Sequence, residues 1–361
     1  MSANLLTPLT IRGVTLRNRI VVSPMCQYSA VDGMPDDWHL VHLGSRAVGG
    51  AGLVFVEATG VTAQGRISPG DTGIWSDAHI EPFARIASFV HRMGAAAGIQ
   101  LAHAGRKAST GPPWAGTKRL TTTEEGAWDV VAPSAIPFRE TDPTPIALDT
   151  VRIREIVRAF SDAAQRAIDA GFSILEIHSA HGYLSHSFLS PLSNHRSDEY
   201  GGSFENRTRF LREVVNELRG VMPDSMPLFV RISCTDWVEG GWDLDQSVEL
   251  ARLLKPLGVD LIDASSGALV PYAKIPVAPG FQVPFAAAIR ERANILTGAV
   301  GMITEPEQAD EIVTSGKADL ALLARQMLRE PYWALRATDA LGGDPPWPVP
   351  YGYAVRPRRT K

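Results

Sequence analysis

Short runs of apolar residues punctuate the chain at intervals, and the segments between them are long enough for helices. Runs suited to buried strands lie at 20–24 (IVVSP), 53–57 (LVFVE), 98–101 (GIQL), 174–177 (ILEI), 228–232 (LFVRI), 260–263 (DLID), 295–297 (ILT) and 319–323 (DLALL). They lack the polar–apolar alternation of a sheet with one wet face, so they read as parallel strands covered on both sides. Between them the spacing predicts helices over 38–49, 79–93, 153–170, 204–219, 245–257, 282–292, 305–315 and 331–341. In 153–170, Ile153, Ile156, Val157, Phe160, Ala164, Ala167 and Ile168 share one side, and Gly171 follows as a stop. Val248, Leu250, Ala251 and Leu254 repeat that design before Gly258, and Pro306 after Thr304 marks a first helical turn. Eight strands alternating with eight helices predict an α/β fold, a single closed (β/α)8 TIM barrel rather than an open doubly wound sheet.

Two stretches break the rhythm. Residues 6–17 (LTPLTIRGVTLR) read as a β-hairpin plugging the bottom of the barrel. Residues 104–149, after the third strand, are rich in Gly, Pro, Thr and acidic residues and carry Trp114 and Trp128. A connection of that length is a lid or substrate loop, and its tryptophans fit either a pocket wall or a loop anchor. No break in composition marks a second domain, so residues 1–361 are read as one. The basic end RPRRTK reads as a solvated tail.

Composition narrows the partners. With 361 residues, 45% of them hydrophobic and 20% charged, the chain can bury a large core. A net charge of -4 gives no footprint for nucleic acid or an anionic membrane. Cys26 and Cys234 lie too far apart for a disulfide framework and are too few for a zinc or iron–sulfur site, which fits a reducing compartment. The N-terminus has no signal-peptide pattern, and no window holds 18 uninterrupted apolar residues. A cytoplasmic location is expected.

In a barrel, polar residues at the C-terminal ends of strands are the first functional candidates. Strand 1 runs into Pro24-Met25-Cys26-Gln27-Tyr28, strand 2 ends at Glu57-Ala58-Thr59, and strand 3 carries Gln100 and His103. Strand 4 gives His178, His181 and Tyr183, strand 5 Arg231, and strand 6 Asp263, Ser265, Ser266 and Gly267. Strands 7 and 8 contribute Gly298, Gly301 and Arg325. The run ILEIHSAHGYLSHSFLSP (174–191) admits a metal site, a buried polar network, or an acid–base pair. A three-residue spacing after a strand is no helix-borne metal signature, and no carboxylate or thiolate set accompanies it, so no metal is expected. Neutral imidazoles can donate N–H bonds to a carbonyl oxygen, and a tyrosine can deliver a proton. His186 is assigned no role.

The last strands point to phosphate. In TGAVGMIT the glycines let backbone N–H groups approach an anion, and Arg325 offers a bidentate guanidinium; a tight turn beside a surface arginine is the plainer alternative. Neither GxGxxG nor GxxxxGK occurs, so a cofactor with one phosphate fits better than a dinucleotide in a Rossmann domain. Arg231, ending an apolar strand, must be paired or bound to something electron-rich. Gln100 both donates and accepts, which suits the pyrimidine edge of a flavin. Cys26 is equally compatible with an inert core thiol.

The ordered pieces LRNRI, SPMCQYS, VEATGV, GRISPGDTGIWSD, IQLAHAGRKA, EIHSAHGYLSHSFLSPLSNHRSDEYGGSFENRTRF, DLIDASSGAL, TGAVGMIT and ARQMLREPYW run from about residue 5 to 355. Together they resemble the Old Yellow Enzyme family of FMN-dependent ene-reductases, and within it the YqjM-type and xenobiotic reductase subgroup. The resemblance implies FMN held noncovalently at the top of the barrel. Ser23, Pro24, Met25 and Cys26 would run beside the flavin, with Ala58, Gln100 and Arg231 as further ring contacts. Ser265, Gly301, Ala324 and Arg325 would hold the ribityl chain and phosphate. His178 and His181 would bind the substrate's activating oxygen, Tyr183 would donate the proton, Tyr28 would touch substrate, and Cys26 would tune the flavin potential.

The implied reaction is reduction of activated C=C bonds in α,β-unsaturated carbonyl or nitro compounds, with NADPH preferred over NADH as donor. Reduction of nitro compounds or nitrate esters is the alternative task, and an FMN-binding barrel without turnover the alternative class. A homodimer or homotetramer is expected. Three departures stand out. Ala324 replaces the usual glycine before the phosphate arginine, which is tolerable unless the position needs positive φ. Tyr353, with Arg356 nearby, stands where the subgroup carries an arginine that reaches into a neighbouring subunit. The 109–130 stretch is longer than in the YqjM-type enzyme.

Overall fold

The apolar runs become the staves of a closed parallel barrel in the computed structural model, which describes residues 4–121 and 126–355. In chain order the strands are β1 (Ile20–Val22), β2 (Leu53–Gly60), β3 (Ala96–Ala102), β4 (Ile174–Ser179), β5 (Leu228–Ser233), β6 (Leu261–Ser265), β7 (Leu296–Val300) and β8 (Leu320–Leu323). Each pairs with its successor, and β8 closes the ring on β1 through Ala321 opposite Ile20 and Leu322 opposite Val21. The outer layer is formed by α1 (Asp37–Val48), α2 (Ile80–Arg92), α3 (Thr150–Asp169), α4 (Arg209–Val221), α5 (Leu244–Leu254), α6 (Val283–Ala293), α7 (Pro306–Thr314) and α8 (Trp333–Ala340). The predicted barrel and its element order are those observed. One helix differs: 204–219 is divided into a turn at Phe204–Arg207 and α4, with the Thr208 hydroxyl bonded back to the Glu205 carbonyl at the join.

Local signals account for the helix ends. The Asp149 side chain accepts from the Arg152 N–H and starts α3 three residues before the predicted boundary. On α4, Phe210, Leu211, Val214, Val215 and Leu218 are buried, and Phe210 meets Phe160 of α3 with ring centroids 6.4 Å apart. Each such side chain contributes about 1.5–3 kcal/mol by leaving water.

The interior of the barrel is layered by chemistry. The hairpin strands Leu9–Ile11 and Val14–Leu16 send Ile11 and Leu16 into a cluster with Val21, Leu53, Phe55, Ile174, Phe229, Leu261 and Leu320. That apolar plug fills the lower barrel, as the sequence predicts. Because side chains alternate along a strand, Ile174, Glu176 and His178 face the same way on β4, as do Phe229, Arg231 and Ser233 on β5. On β6 the series is Leu261, Asp263, Ser265. In register, Arg231 stands between His178 and Asp263. The axis therefore passes from hydrocarbon, through buried charge, to imidazoles and hydroxyls at the upper rim.

The long connection after β3 lies over that rim. Val131–Ala132 pairs in parallel with Ile146–Ala147, and the buried Arg106 guanidinium donates to the carbonyls of Ile136, Pro137 and Leu269. Trp128 anchors the loop, donating to the Gln64 carbonyl at 2.9 Å. Trp114 is 72% exposed and meets Tyr28 edge-on at 5.7 Å. Tyr353, near the end of the described chain, is 89% exposed; Arg356 lies outside the described residues. Phe55 and Phe229, 6.0 Å apart, tie the plug to the barrel wall. Replacing Phe229 by Ala is expected to cost about 3–5 kcal/mol, read as a lower urea midpoint with unchanged slope.

Candidate active site

β4 stops at Ser179, and the chain then makes two consecutive left-handed residues, His181 (φ 60°) and Gly182 (φ 75°). A side chain on Gly182 would place its Cβ 2.4 Å from the Ala268 carbonyl oxygen, so glycine is required there. The turn folds His178, His181 and Tyr183 together. The His178 ring lies 5.1 Å from that of His181 and 5.0 Å from that of Tyr183, nearly perpendicular to both. Nδ1 of His178 accepts from the Ala180 N–H at 3.3 Å, which puts its proton on Nε2. Nε2 of His181 is 2.7 Å from the Ser265 hydroxyl.

Electrostatics fix the protonation states. Burial, followed by the Arg231 charge, holds both imidazoles well below their ordinary pKa, so both are neutral donors. Burial raises the Tyr183 phenol well above its ordinary value and keeps it protonated. Lys107 donates to the carbonyls of His181 (2.8 Å) and Ala268 (3.0 Å) beneath the Tyr183 ring. Burial, with Arg106 and Arg139 nearby, lowers its ammonium pKa to about 7.

The Pro24–Tyr28 segment forms the facing wall. Tyr28 is left-handed (φ 54°) and, with Lys107, Phe138 and Tyr183, lines a cavity of about 260 Å³. Cys26 is half-buried, and burial, then Asp71 and Glu57, push its thiol pKa well up. The segment is tied down by Glu57, whose carboxylate accepts from the Gln27 N–H. Glu57 sits where the β2–β3 register shifts between Val56 and Ala58, a bulge that leaves Ala58 opposite Gln100. Its other oxygen lies 3.6 Å from His39 Nε2, and His39 Nδ1 is 2.8 Å from the exposed Asp36 carboxylate. Burial raises the Glu57 pKa, and burial with the Glu57 charge pushes Asp71 up to about 7.

Below the imidazoles, Arg231 donates to the Ser23 hydroxyl at 2.9 Å, and its Nε lies 3.3 Å from Asp263. That Nε makes no hydrogen bond among the described residues, nor do one oxygen of Glu176 and both of Asp263. Burial raises the pKa of both carboxyls. Gln100 donates to Glu176 at 2.7 Å, which turns its amide oxygen away from that acid and leaves it free for a ligand. Further round the rim, Gln282, Gly301, Met302, Ala324 and Arg325 border a cavity of about 330 Å³. Gly301 has φ 121°, and a Cβ there would lie 2.8 Å from Gln282 Nε2. Ala324 has φ -104°, so the position does not need glycine. Among the described residues no group of three or more His, Cys, Asp or Glu is placed to hold a metal ion, and no helix is long and apolar enough to cross a membrane.

A family model for NADH:flavin oxidoreductases / NADH oxidases matches residues 4–342. The chain belongs to that family. It is 50% identical over 353 residues to an NADPH dehydrogenase of Bacillus subtilis (strain 168), spanning 97% of this chain and 99% of the relative. Among solved structures, a morphinone reductase superposes with a TM-score of 0.79 at 27% identity, covering 95% of this chain and 91% of that one. A 2-naphthoyl-CoA reductase complex reaches a TM-score of 0.85 at 24% identity, a likeness of fold; this chain covers 52% of that larger one. The protein is an FMN-dependent NAD(P)H oxidoreductase of the ene-reductase type.

The rim of this flavin oxidoreductase fits FMN. Arg231 keeps an unbonded N–H and Gln100 an open amide oxygen, the donor and acceptor a pyrimidine edge requires. The second cavity offers the backbone at Gly301 and the Arg325 guanidinium, which has no protein partner among the described residues. Direct contacts join His178 to His181 and Tyr183, His181 to Ser265, and Arg231 to Ser23, while Tyr28 shares one cavity with Tyr183 and Gly301, Ala324 and Arg325 border the other. Sequence reasoning missed Lys107, Glu176, His39 and Gln282. The acid inside the apolar run ILEI was the readable signal for Glu176; the others carry none. For Asp71, burial favours the neutral carboxyl, so the folded chain holds its proton more tightly than the unfolded one. That contribution is full below pH 3.8 and is lost as pH climbs to about 7. Asp71→Asn should flatten the fall of the urea midpoint across this window.

Proposed function

We infer that this flavoprotein reduces electron-poor alkenes, α,β-unsaturated carbonyl or nitro compounds, with NADPH as the preferred donor. The observation that carries the reading is the convergence of two neutral imidazoles and a protonated phenol within about 5 Å at the mouth of the barrel. The name of the Bacillus subtilis relative supports NADPH. The cavity between Tyr28 and Tyr183 is sized for a small ring compound rather than a polymer.

Ser23, Pro24, Met25, Cys26, Ala58, Gln100 and Arg231 would hold the ring system of FMN, and Ser265, Gly301, Ala324 and Arg325 its ribityl phosphate. Bound FMN would supply the redox chemistry, hydride transfer from the nicotinamide donor to the alkene. His178 and His181 bind the substrate's carbonyl or nitro oxygen and donate N–H bonds that strengthen as negative charge builds there. Being neutral, they stabilise that charge without surrendering a proton to it. Tyr183 gives its phenolic proton to the α-carbon, and its raised pKa keeps the proton available throughout the neutral range. Tyr28 packs against the substrate from the facing wall. The un-ionised Cys26 thiol would stand beside the ring, where a thiolate would oppose the negative charge of a reduced flavin.

The loop over the rim serves as the substrate lid, with Trp114 as its outer wall against Tyr28. The exposed Val349 and Tyr353 support assembly through the C-terminal segment into a dimer or tetramer, which light scattering would measure. Two unpaired cysteines support a cytoplasmic enzyme.

Purified protein should be yellow, release FMN on denaturation and bleach anaerobically with NADPH. In an anaerobic panel, cyclohexenones, maleimides and nitroalkenes should be turned over faster than nitrate esters, and with NADPH faster than with NADH. Tyr183→Phe should slow alkene reduction by about 100- to 10,000-fold while flavin reduction by NADPH proceeds nearly unchanged in stopped-flow traces. Equal rates in both steps would remove Tyr183 from this role.

A further inference from the structure

The turn that carries His181 and Tyr183 is not held by any regular element. Its two left-handed residues lie outside both the strand ladder and the following helix (Leu184–Leu189), so their four backbone polar atoms need partners elsewhere. All four find side chains. The His181 N–H donates to Ser233 Oγ at 2.9 Å and its carbonyl accepts from Lys107. The Gly182 carbonyl accepts from Ser187 Oγ at 3.1 Å, and the Gly182 N–H donates to Nδ1 of His186 at 2.9 Å.

The fourth of these bonds differs from the rest because a buried carboxylate stands behind it. Nδ1 of His186 accepts, so the ring's proton is on Nε2, and Nε2 lies 2.9 Å from Asp236 Oδ1 with both side chains 0% exposed. The N–H does not point straight at the oxygen, which therefore has no regular hydrogen bond; the contact is that of a dipole held close to a charge. The carboxylate itself is anchored from the far side, with Oδ2 accepting from the Ser190 hydroxyl (2.6 Å) and the Trp242 N–H (2.7 Å). His186, bonding through Ser190 and other interactions pull the Asp236 pKa below its ordinary value despite its burial. The ring cannot flip without setting Cε1–H against Asp236 and Cδ2–H against Gly182.

We propose that His186, oriented by Asp236, is the positioning residue that sets the Ala180–Tyr183 turn and thereby the mutual placement of the two imidazoles and the phenol. The pair's hydrogen-bonded link to the reacting groups runs through the Gly182 peptide. What it positions is the substrate-binding trio of the preceding section, and its significance for turnover rests on that reading.

Two substitutions separate the links. In His186→Asn the amide oxygen takes the place of Nδ1 and still accepts from Gly182, while the reach to Asp236 is lost. In His186→Gln the amide extends toward Asp236 and leaves Gly182 without its acceptor. Both are polar and both disturb packing, so thermal stability alone does not distinguish them. The full-length FMN-loaded proteins are titrated with 4-hydroxybenzaldehyde, whose oxygen the imidazoles would hold, and binding is followed by the change in flavin absorbance. The Asn variant should bind within about threefold of wild type and the Gln variant about tenfold more weakly, the factor one hydrogen bond carries, at similar Tm. The alkene-reduction rate constant should follow the same order. Equal affinities for the two variants, or losses that simply track Tm, would overturn the proposal. If wild type binds FMN and the phenol but reduces no alkene, the functional reading fails and the binding comparison still decides the role of His186.

Discussion

Everything in this molecule depends on one constraint: a closed sheet in which all strands run the same way has two unlike ends. Strand direction carries each chain segment upward and releases it at the same rim, so residues more than 200 positions apart, such as Ser23 and Arg231, end within hydrogen-bond distance. The alternation of side chains along each strand then sorts chemistry by height. Leu261, Asp263 and Ser265 occupy successive inward positions on β6 and belong to three different environments. The apolar plug makes the charged layer above it costly, because Arg231, Asp263 and Glu176 are cut off from water from below. Burial answers by favouring protonated carboxyls rather than a fully ionised cluster. The same Arg231 that needs a counter-charge below depresses the imidazoles above it. The buried charge layer and the imidazoles above it are thus electrostatically one object.

The groups proposed for catalysis sit largely on irregular backbone, which is where a barrel can place side chains at angles no strand allows. Such backbone is held only if its polar atoms are satisfied one by one. On the β4 side, four side chains from three places in the fold do this; on the β2 side, the Glu57 bulge does it for the Pro24–Tyr28 segment. Rigid donors aimed before the substrate arrives are worth more than donors that must reorganise during the reaction. The network of buried polar contacts is therefore part of the chemistry as well as part of the fold.

How much of this can be read from the chain follows from the range of the interactions involved. The barrel, the hairpin plug and the rim residues are legible because strand length, helix period and strand ends are local properties, each decided within about 5–20 residues. The His178, His181 and Tyr183 cluster is legible for the same reason. His186 is not: its meaning comes from Asp236, which lies in the loop of the next strand, and without that partner it reads as one more buried polar residue. Glu57 is visible as a strand-end acid, but the bulge that aims it at Gln27 depends on register with β3. The division of the 204–219 helix at Thr208 is a choice that helical periodicity does not report. Ala324 is a departure in the sequence, and its negative φ shows that the position does not draw on glycine's left-handed freedom.

The ring closes between its first stave and its last. Ile20 and Val21 find their outer neighbours at Ala321 and Leu322, Arg19 reaches the Asp319 carbonyl 300 residues away, and Leu5 donates to Asp310. Contacts of that separation carry the largest loop-closure entropy in the chain and are made late. During synthesis the segment bearing Ser23 and Cys26 leaves the ribosome early and has no right-hand neighbour until nearly the whole polypeptide has followed. One edge of the growing sheet stays open for that entire interval, and the rim shared between the two ends of the chain comes into being only when that edge is sealed.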